Sequence, residues 1–209
     1  MKIIGITGTI GTGKSTAAAV CGELGAATID LDAVTHQLYA DDDSLKEVLA
    51  EAFGRCILDN DDQINRQILA DIVFNDRNKL NTLNLLVHPR IMQEVRTRLH
   101  IYEMMKRDAL IIHGTLLLDI CGKELLDEIW VITSEEKNSL QRLKQRGMNI
   151  EEATKRRRVQ SDEQKLLAEA DVILENDLLK KDFEDLVQYT YESRILVPIY
   201  GRQENSLKS

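Results

Sequence analysis

Glycines, a lysine and two hydroxyls are crowded into one short stretch, Gly8-Thr9-Ile10-Gly11-Thr12-Gly13-Lys14-Ser15-Thr16. The spacing fits G-x-x-x-x-G-K-[ST], the P-loop. Glycine accepts backbone angles that turn successive N–H groups inward, and such a nest of donors holds an anion. A helix opening at the end of the motif adds unpaired N–H groups and the positive end of its dipole. Lys14 supplies a mobile cation for the outer phosphates. The Ser15 hydroxyl is placed to ligand Mg²⁺. The chemistry this implies is nucleoside triphosphate binding with Mg²⁺, and the motif alone leaves ATP and GTP open. The expected contacts are Gly11, Thr12, Gly13, Lys14, Ser15 and Thr16.

Two further groups of residues suit phosphoryl transfer. Asp30 and Asp32 lie two apart in Ile29-Asp30-Leu31-Asp32-Ala33-Val34. In an extended chain they point the same way, and one could take the proton of an attacking hydroxyl or hold Mg²⁺ through water. Arg142 and Arg146, in Arg142-Leu143-Lys144-Gln145-Arg146, are four apart and share a helix face. Arginines so paired can clamp a phosphoryl group as charge develops on it. The basic run continues through Lys155 to Gln160.

These residues need a scaffold that brings them together. Lys2–Thr7 reads as a β-branched strand running straight into the glycines, and helical pattern resumes at Ser15 and stops at Gly25. Ala26–Asp32 reads as a second strand ending in acids, Ala109–Gly114 as a third, Glu128–Thr133 as a fourth and Ala170–Asn176 as a fifth. A last helix runs to about Tyr191. Apolar strands alternating with helices imply a five-stranded parallel sheet covered on both faces. Ligands of such sheets bind at the carboxyl ends of the strands. Residues 33–106 are helical in pattern, with Leu83, Leu86, Val87 and Ile91 recurring at helical spacing. That segment and the charged segment from 135 are too long for simple crossovers. The expectation is one domain over 1–209, with a helical acceptor-binding insertion at 33–106 and a lid at 135–165.

Composition narrows the class. A net charge of −8 argues against a general nucleic-acid binder, and no stretch approaches a membrane span. Cys21, Cys56 and Cys121 form no C-x-x-C pair, which suggests neither zinc nor a disulfide framework; buried free thiols in a reducing cytosol are expected. The reading is a cytoplasmic protein, monomeric or weakly homo-oligomeric. A GTP switch would need Asn-Lys-x-Asp, whereas Asn78-Lys79-Leu80-Asn81 lacks the closing acid. A motor-type ATPase needs an apolar strand ending in an acid; Leu116-Leu117-Leu118-Asp119 imitates one but follows the third strand. A small-molecule kinase has all its parts here. Another P-loop nucleotide kinase, or a nucleotide-binding regulator without transferase activity, stays open on the residues alone.

The order of motifs resembles the dephospho-CoA kinase family, of the P-loop nucleoside-kinase type. The resemblance runs over about residues 2 to 176. It is carried by the P-loop, "IDLDAV" at 29–34, "FGRCIL" at 53–58, "INRQILADIVFND" at 64–76, "LLVHPRI" at 85–91, "RLKQR" at 142–146, Gln160 and "ADVILEN" at 170–176. It implies ATP-dependent phosphorylation of the ribose 3′-hydroxyl of dephospho-CoA. Under it Asp32 matches the activating acid, Arg142 and Arg146 the lid, Asn176 a residue near the adenine, and His88-Pro89 part of the acceptor side. The chain departs from the family pattern where Asp-x-Pro-Leu-Leu-x-Glu is usual. It reads His113-Gly114-Thr115-Leu116-Leu117-Leu118-Asp119 there, has Asn65-Arg66 for an Asp-Arg pair, and has Leu178 where glycine is frequent.

Overall fold

The computed structural model describes residues 1–148, 163–177 and 179–196. Lys155–Gln160, Leu178 and most of the second half of the expected lid therefore lie outside the described residues. By contact density the chain divides into two compact units, one of residues 1–30 and 99–209 and one of Leu31–Arg98.

The first unit is built on five parallel strands: β1 (Lys2–Thr7), β2 (Ala27–Asp30), β3 (Ala109–His113), β4 (Glu128–Thr133) and β5 (Val172–Glu175). Their order is β2-β3-β1-β4-β5. The first strand is thus central, and the chain switches sides at its end, where such sheets place ligands. Alternation along β4 shows why both faces need covering. Trp130 and Ile132 point into a cluster with Ile4, Ile6 and Ile111, while Ile129 and Val131 point the other way, against Leu166. The first face is covered by α1 (Lys14–Glu23) and a late helix (Lys180–Tyr191), which brings Phe183, Val187 and Tyr191. The second face carries Leu118, from α6 (Leu117–Cys121), and Leu166, from α8 (Glu163–Ala168). We call Glu136–Gln145 α7 and Lys180–Tyr191 α9.

The second unit is helical, as its apolar spacing predicts: α2 (Leu31–Asp41), α3 (Asp43–Phe53), α4 (Arg66–Phe74) and the long α5, which begins at Arg77 and ends at Met104. Asp42 caps α3 by accepting from the Leu45 N–H (2.9 Å) and also receives Arg90 from α5 (2.8 Å). Asn65 caps α4. Leu45, Leu49, Leu69, Val73, Val87, Ile91 and Val95 are buried.

Two expectations change. The second strand stops at Asp30, and Leu31 and Asp32 already belong to the first turn of α2. Asp30 and Asp32 therefore do not project together from an extended chain. Nothing in the sequence between them breaks a helix, and Asp32 suits a first turn because its charge complements the helix dipole. The cysteines are also not all buried. Burial pushes the Cys21 thiol up to about 12 and that of Cys121 up to about 11, but Cys56 is exposed beside the turn that ends α3.

Glu128, at the start of β4, ties the sheet to the chain beyond α9. It accepts from Lys2 Nζ (2.7 Å), Trp130 Nε1 (2.9 Å) and Arg194 Nε (2.9 Å). Burial pulls its carboxyl up, but the hydrogen bonds from Arg194, Lys2 and Trp130 outweigh that and hold it at about 2. A depressed folded value means stability present above the unfolded value and lost as pH falls toward the folded one. Thermal unfolding should show Glu128→Gln less stable than wild type at neutral pH, with the gap closing between about pH 4.5 and 2. A gap that stays constant with pH would refute this role. Gly11 gives a second check. Its φ is +82°, and a β-carbon there would lie 2.8 Å from the Ser139 carbonyl of α7. Gly11→Ala should lower the Tm by about 4 °C or more, from left-handed strain of about 1–2 kcal/mol plus the clash.

Candidate nucleotide and phosphoryl-transfer site

The glycine loop leaves β1 at the switch point and ends in α1. Lys14 opens the helix, yet its side chain folds back over the loop and is only 9% exposed. Its Nζ donates to the carbonyls of Gly8 and Thr9, both at 2.9 Å. A buried ammonium needs such partners. The Thr9 carbonyl also accepts from the Thr12 hydroxyl (2.9 Å), so the loop is drawn tight around the cation. Thr9's own hydroxyl is buried without a hydrogen-bond partner among the described residues.

Ser15 lies one residue further on, exposed, and Thr16 is half-buried. Among the described residues no group of three or more His, Cys, Asp or Glu is placed to hold a metal ion. Mg²⁺ does not require such a cage, since it commonly keeps several waters and binds one or two protein groups plus substrate phosphates. A lone exposed hydroxyl at the helix start fits that donor set.

The far side of the loop is held by the end of β5. Asn176, 5% exposed, donates from Nδ2 to the Thr12 carbonyl (2.7 Å). Gly13, with φ +110°, leaves room for that amide, which a β-carbon would strike. Asn176 in turn is gripped by Arg142, whose NH2 donates to the Asn176 backbone carbonyl and to Oδ1 (3.2 Å), while NH1 donates to the Ser134 hydroxyl (3.0 Å). Arg146 caps the C-terminus of α7 one turn on and is exposed. The two arginines thus differ: Arg142 is bound between α7, Ser134 and Asn176, and Arg146 presents its charge to solvent.

Asp177 was not singled out by any sequence pattern. It caps α7 from outside that helix, accepting from the Glu135 N–H (2.9 Å), the Ser134 hydroxyl (2.8 Å) and Asn138 Nδ2 (2.9 Å). Its only signal in the sequence is an acid directly after the asparagine that ends a strand.

At the other side of β1, Asp30 and His113 are register partners at the ends of β2 and β3. His113 Nε2 stands 4.0 Å from Asp30 Oδ2. His113, expected at a strand end, is there and is buried. Asp32 is exposed on α2, in the helical unit. In that same unit Tyr39 and His36 lie near Arg66, and burial pushes the Tyr39 hydroxyl up to about 12 against the pull of the Arg66 charge. No described helix is long and apolar enough to cross a membrane.

Comparison with known proteins places this arrangement. The dephospho-CoA kinase family model matches residues 2–182. A dephospho-CoA kinase of Dehalococcoides mccartyi is 31% identical over 93% of this chain and 98% of its own length. One of Carboxydothermus hydrogenoformans is 35% identical over 84% and 86%. Among solved structures, TT1252 from Thermus thermophilus superposes with a TM-score of 0.73 at 28% identity, covering 92% of this chain and 97% of that one. Shikimate kinase from Acinetobacter baumannii, at 14% identity and a TM-score of 0.53, shares the fold alone. A P-loop at the switch point of a five-stranded parallel sheet, and a family match over nearly the whole described chain, lead to one conclusion: this chain belongs to the dephospho-CoA kinase family.

Proposed function

We infer that this chain transfers the γ-phosphoryl group of ATP to the ribose 3′-hydroxyl of dephospho-CoA, giving coenzyme A and ADP. The observation that carries the reading is Lys14, enclosed in a glycine loop at the switch point of a sheet whose family is known. In the reaction the acceptor oxygen forms a bond to γ-phosphorus, the β–γ bridging P–O bond breaks, and the hydroxyl proton leaves to a base. Phosphoryl transfer is mostly positioning and charge stabilisation. Lys14 would exchange its two loop carbonyls for phosphate oxygens, and the loop N–H groups would surround the β-phosphate. Ser15 would hold Mg²⁺, which when bound neutralises charge on the phosphates. Arg142 and Arg146, on α7 in the 135–165 lid segment, would face the developing charge. Asn176 would serve the nucleotide through the loop it braces.

Asp32 is the base in this reading and Asp30 a support beside the phosphate loop. Asp32 lies further along the chain from the strand end and matches the family's acid. The helical segment would bind the acceptor. The protein would work in the cytoplasm as a monomer or weak homo-oligomer, with no nucleic-acid partner.

A coupled ADP-release assay with dephospho-CoA, AMP, CMP and dAMP tests the acceptor. Turnover only with dephospho-CoA is expected; preference for a nucleoside monophosphate would mean a different small-molecule kinase, and no turnover with any would favour a nucleotide-binding regulator. Lys14→Ala is expected to reduce turnover on the order of 10³-fold. Asp32→Asn should leave ATP affinity nearly intact by calorimetry and lower kcat about 10²-fold, the low end for a positioned base. If Asp30→Asn is dead while Asp32→Asn is active, the two acids exchange roles.

A further inference from the structure

We propose that Asp177 is a positioning residue for the nucleotide: it fixes the start of α7 so that Arg142 is held against the residue bracing the phosphate loop. The proposal rests on the reading that this loop binds ATP.

The argument starts from where the cap comes from. The first N–H groups of a helix lack intrahelical partners, and a nearby Ser, Thr, Asp or Asn ordinarily satisfies one. Here the residue before α7, Glu135, makes no side-chain cap. The carboxylate arrives instead from the end of β5, 42 residues away in sequence, with Oδ1 and Oδ2 at 2.9 and 3.1 Å from the Glu135 N–H. Helix stability alone does not need a cap from so far away. What the distant cap adds is a tie between α7 and the strand end that holds the phosphate loop.

The contacts close into a ring. Ser134 donates its hydroxyl hydrogen to Asp177 (2.8 Å), which leaves its oxygen lone pairs to accept from Arg142 NH1 (3.0 Å). Arg142 reaches Asn176, the neighbour of Asp177, and Asn176 donates to Thr12 in the loop (2.7 Å). A single dipeptide, Asn176-Asp177, thus grips the phosphate loop with one side chain and α7 with the other. The charges agree with this. Some burial works against the ionised carboxyl of Asp177, but the hydrogen bonds from Asn138, Ser134 and the Glu135 N–H, with the Arg142 charge, hold it below the usual carboxylate range. Loss of the carboxylate frees the start of α7 and removes the orientation of Ser134. Arg142 then loses one of its anchors, and the bracing of Thr12 weakens with it.

The test is a double-mutant cycle between Asp177→Ala and Arg142→Ala, read by calorimetric MgATP binding, steady-state kinetics and Tm. Asp177→Ala alone should weaken MgATP binding and raise the KM for ATP by about tenfold, within the span for residues sharing one hydrogen-bond network. The kcat should fall as well, since Arg142 faces the developing charge, whereas the KM for the acceptor should stay within about twofold. Asp177→Asn, which keeps an accepting oxygen but not the charge, should fall between. In the Arg142→Ala background, Asp177→Ala should add less than about twofold. If the two losses simply add, or if MgATP affinity is unchanged while Tm falls, Asp177 is a helix cap only and the proposal fails. A wild-type chain that does not bind MgATP would overturn the functional reading itself. One that binds MgATP but ignores dephospho-CoA would overturn only the acceptor assignment and leave the binding cycle readable.

Discussion

A positive charge enclosed by backbone is the constraint on which the rest of this structure depends. The Lys14 ammonium is almost removed from solvent and is stabilised by two carbonyls of its own loop. Those carbonyls face inward only because the loop is drawn into a turn that ordinary residues could not follow at Gly11 and Gly13. A loop so bent has little stability of its own. It is therefore backed on every side that the first unit offers: by β4, by the Ser139 carbonyl of α7, and by the Asn176 amide at the end of β5. Each backing element stands close enough to exclude even a methyl group from the glycine it faces.

The order of the strands follows from the same need. A central β1 lets support come from β3 on one side and β4 on the other. Strand β5 lies at the edge, yet the two residues that follow it, Asn176 and Asp177, tie loop and helix together. The proposed chemistry is divided between the units: Lys14, Ser15, Arg142 and Arg146, read as the phosphate-side groups, are on the sheet unit, whereas Asp32 and the Arg66–His36–Tyr39 cluster are on the helical one.

Much of the sheet was legible because buried parallel strands leave compact apolar runs. "ALIIH" and "EIWVIT" could hardly be anything else. The phosphate loop was legible because its function is written in consecutive residues. Asp32 was misplaced onto a strand for a physical reason: α2 follows β2 with no glycine or proline between them, so local pattern held no boundary. Asp177 escaped notice because its partners are far away in sequence and its role exists only once β5 and the start of α7 are neighbours. The same holds for Arg142. Helical spacing paired it with Arg146, but the fold gives one arginine three hydrogen bonds and leaves the other in solvent.

The uneven burial of the cysteines has a practical side. Two thiols are shielded and held almost wholly protonated at neutral pH, so a maleimide or iodoacetamide dye meets them slowly. Cys56 is open, and it belongs to the helical unit. The unmodified chain thus carries a natural handle for a single fluorophore. Emission from that dye would report on the helical unit while Trp130, buried in the sheet, serves as an intrinsic donor in the other. Energy transfer between the two would follow the units through a catalytic cycle without a single residue being replaced.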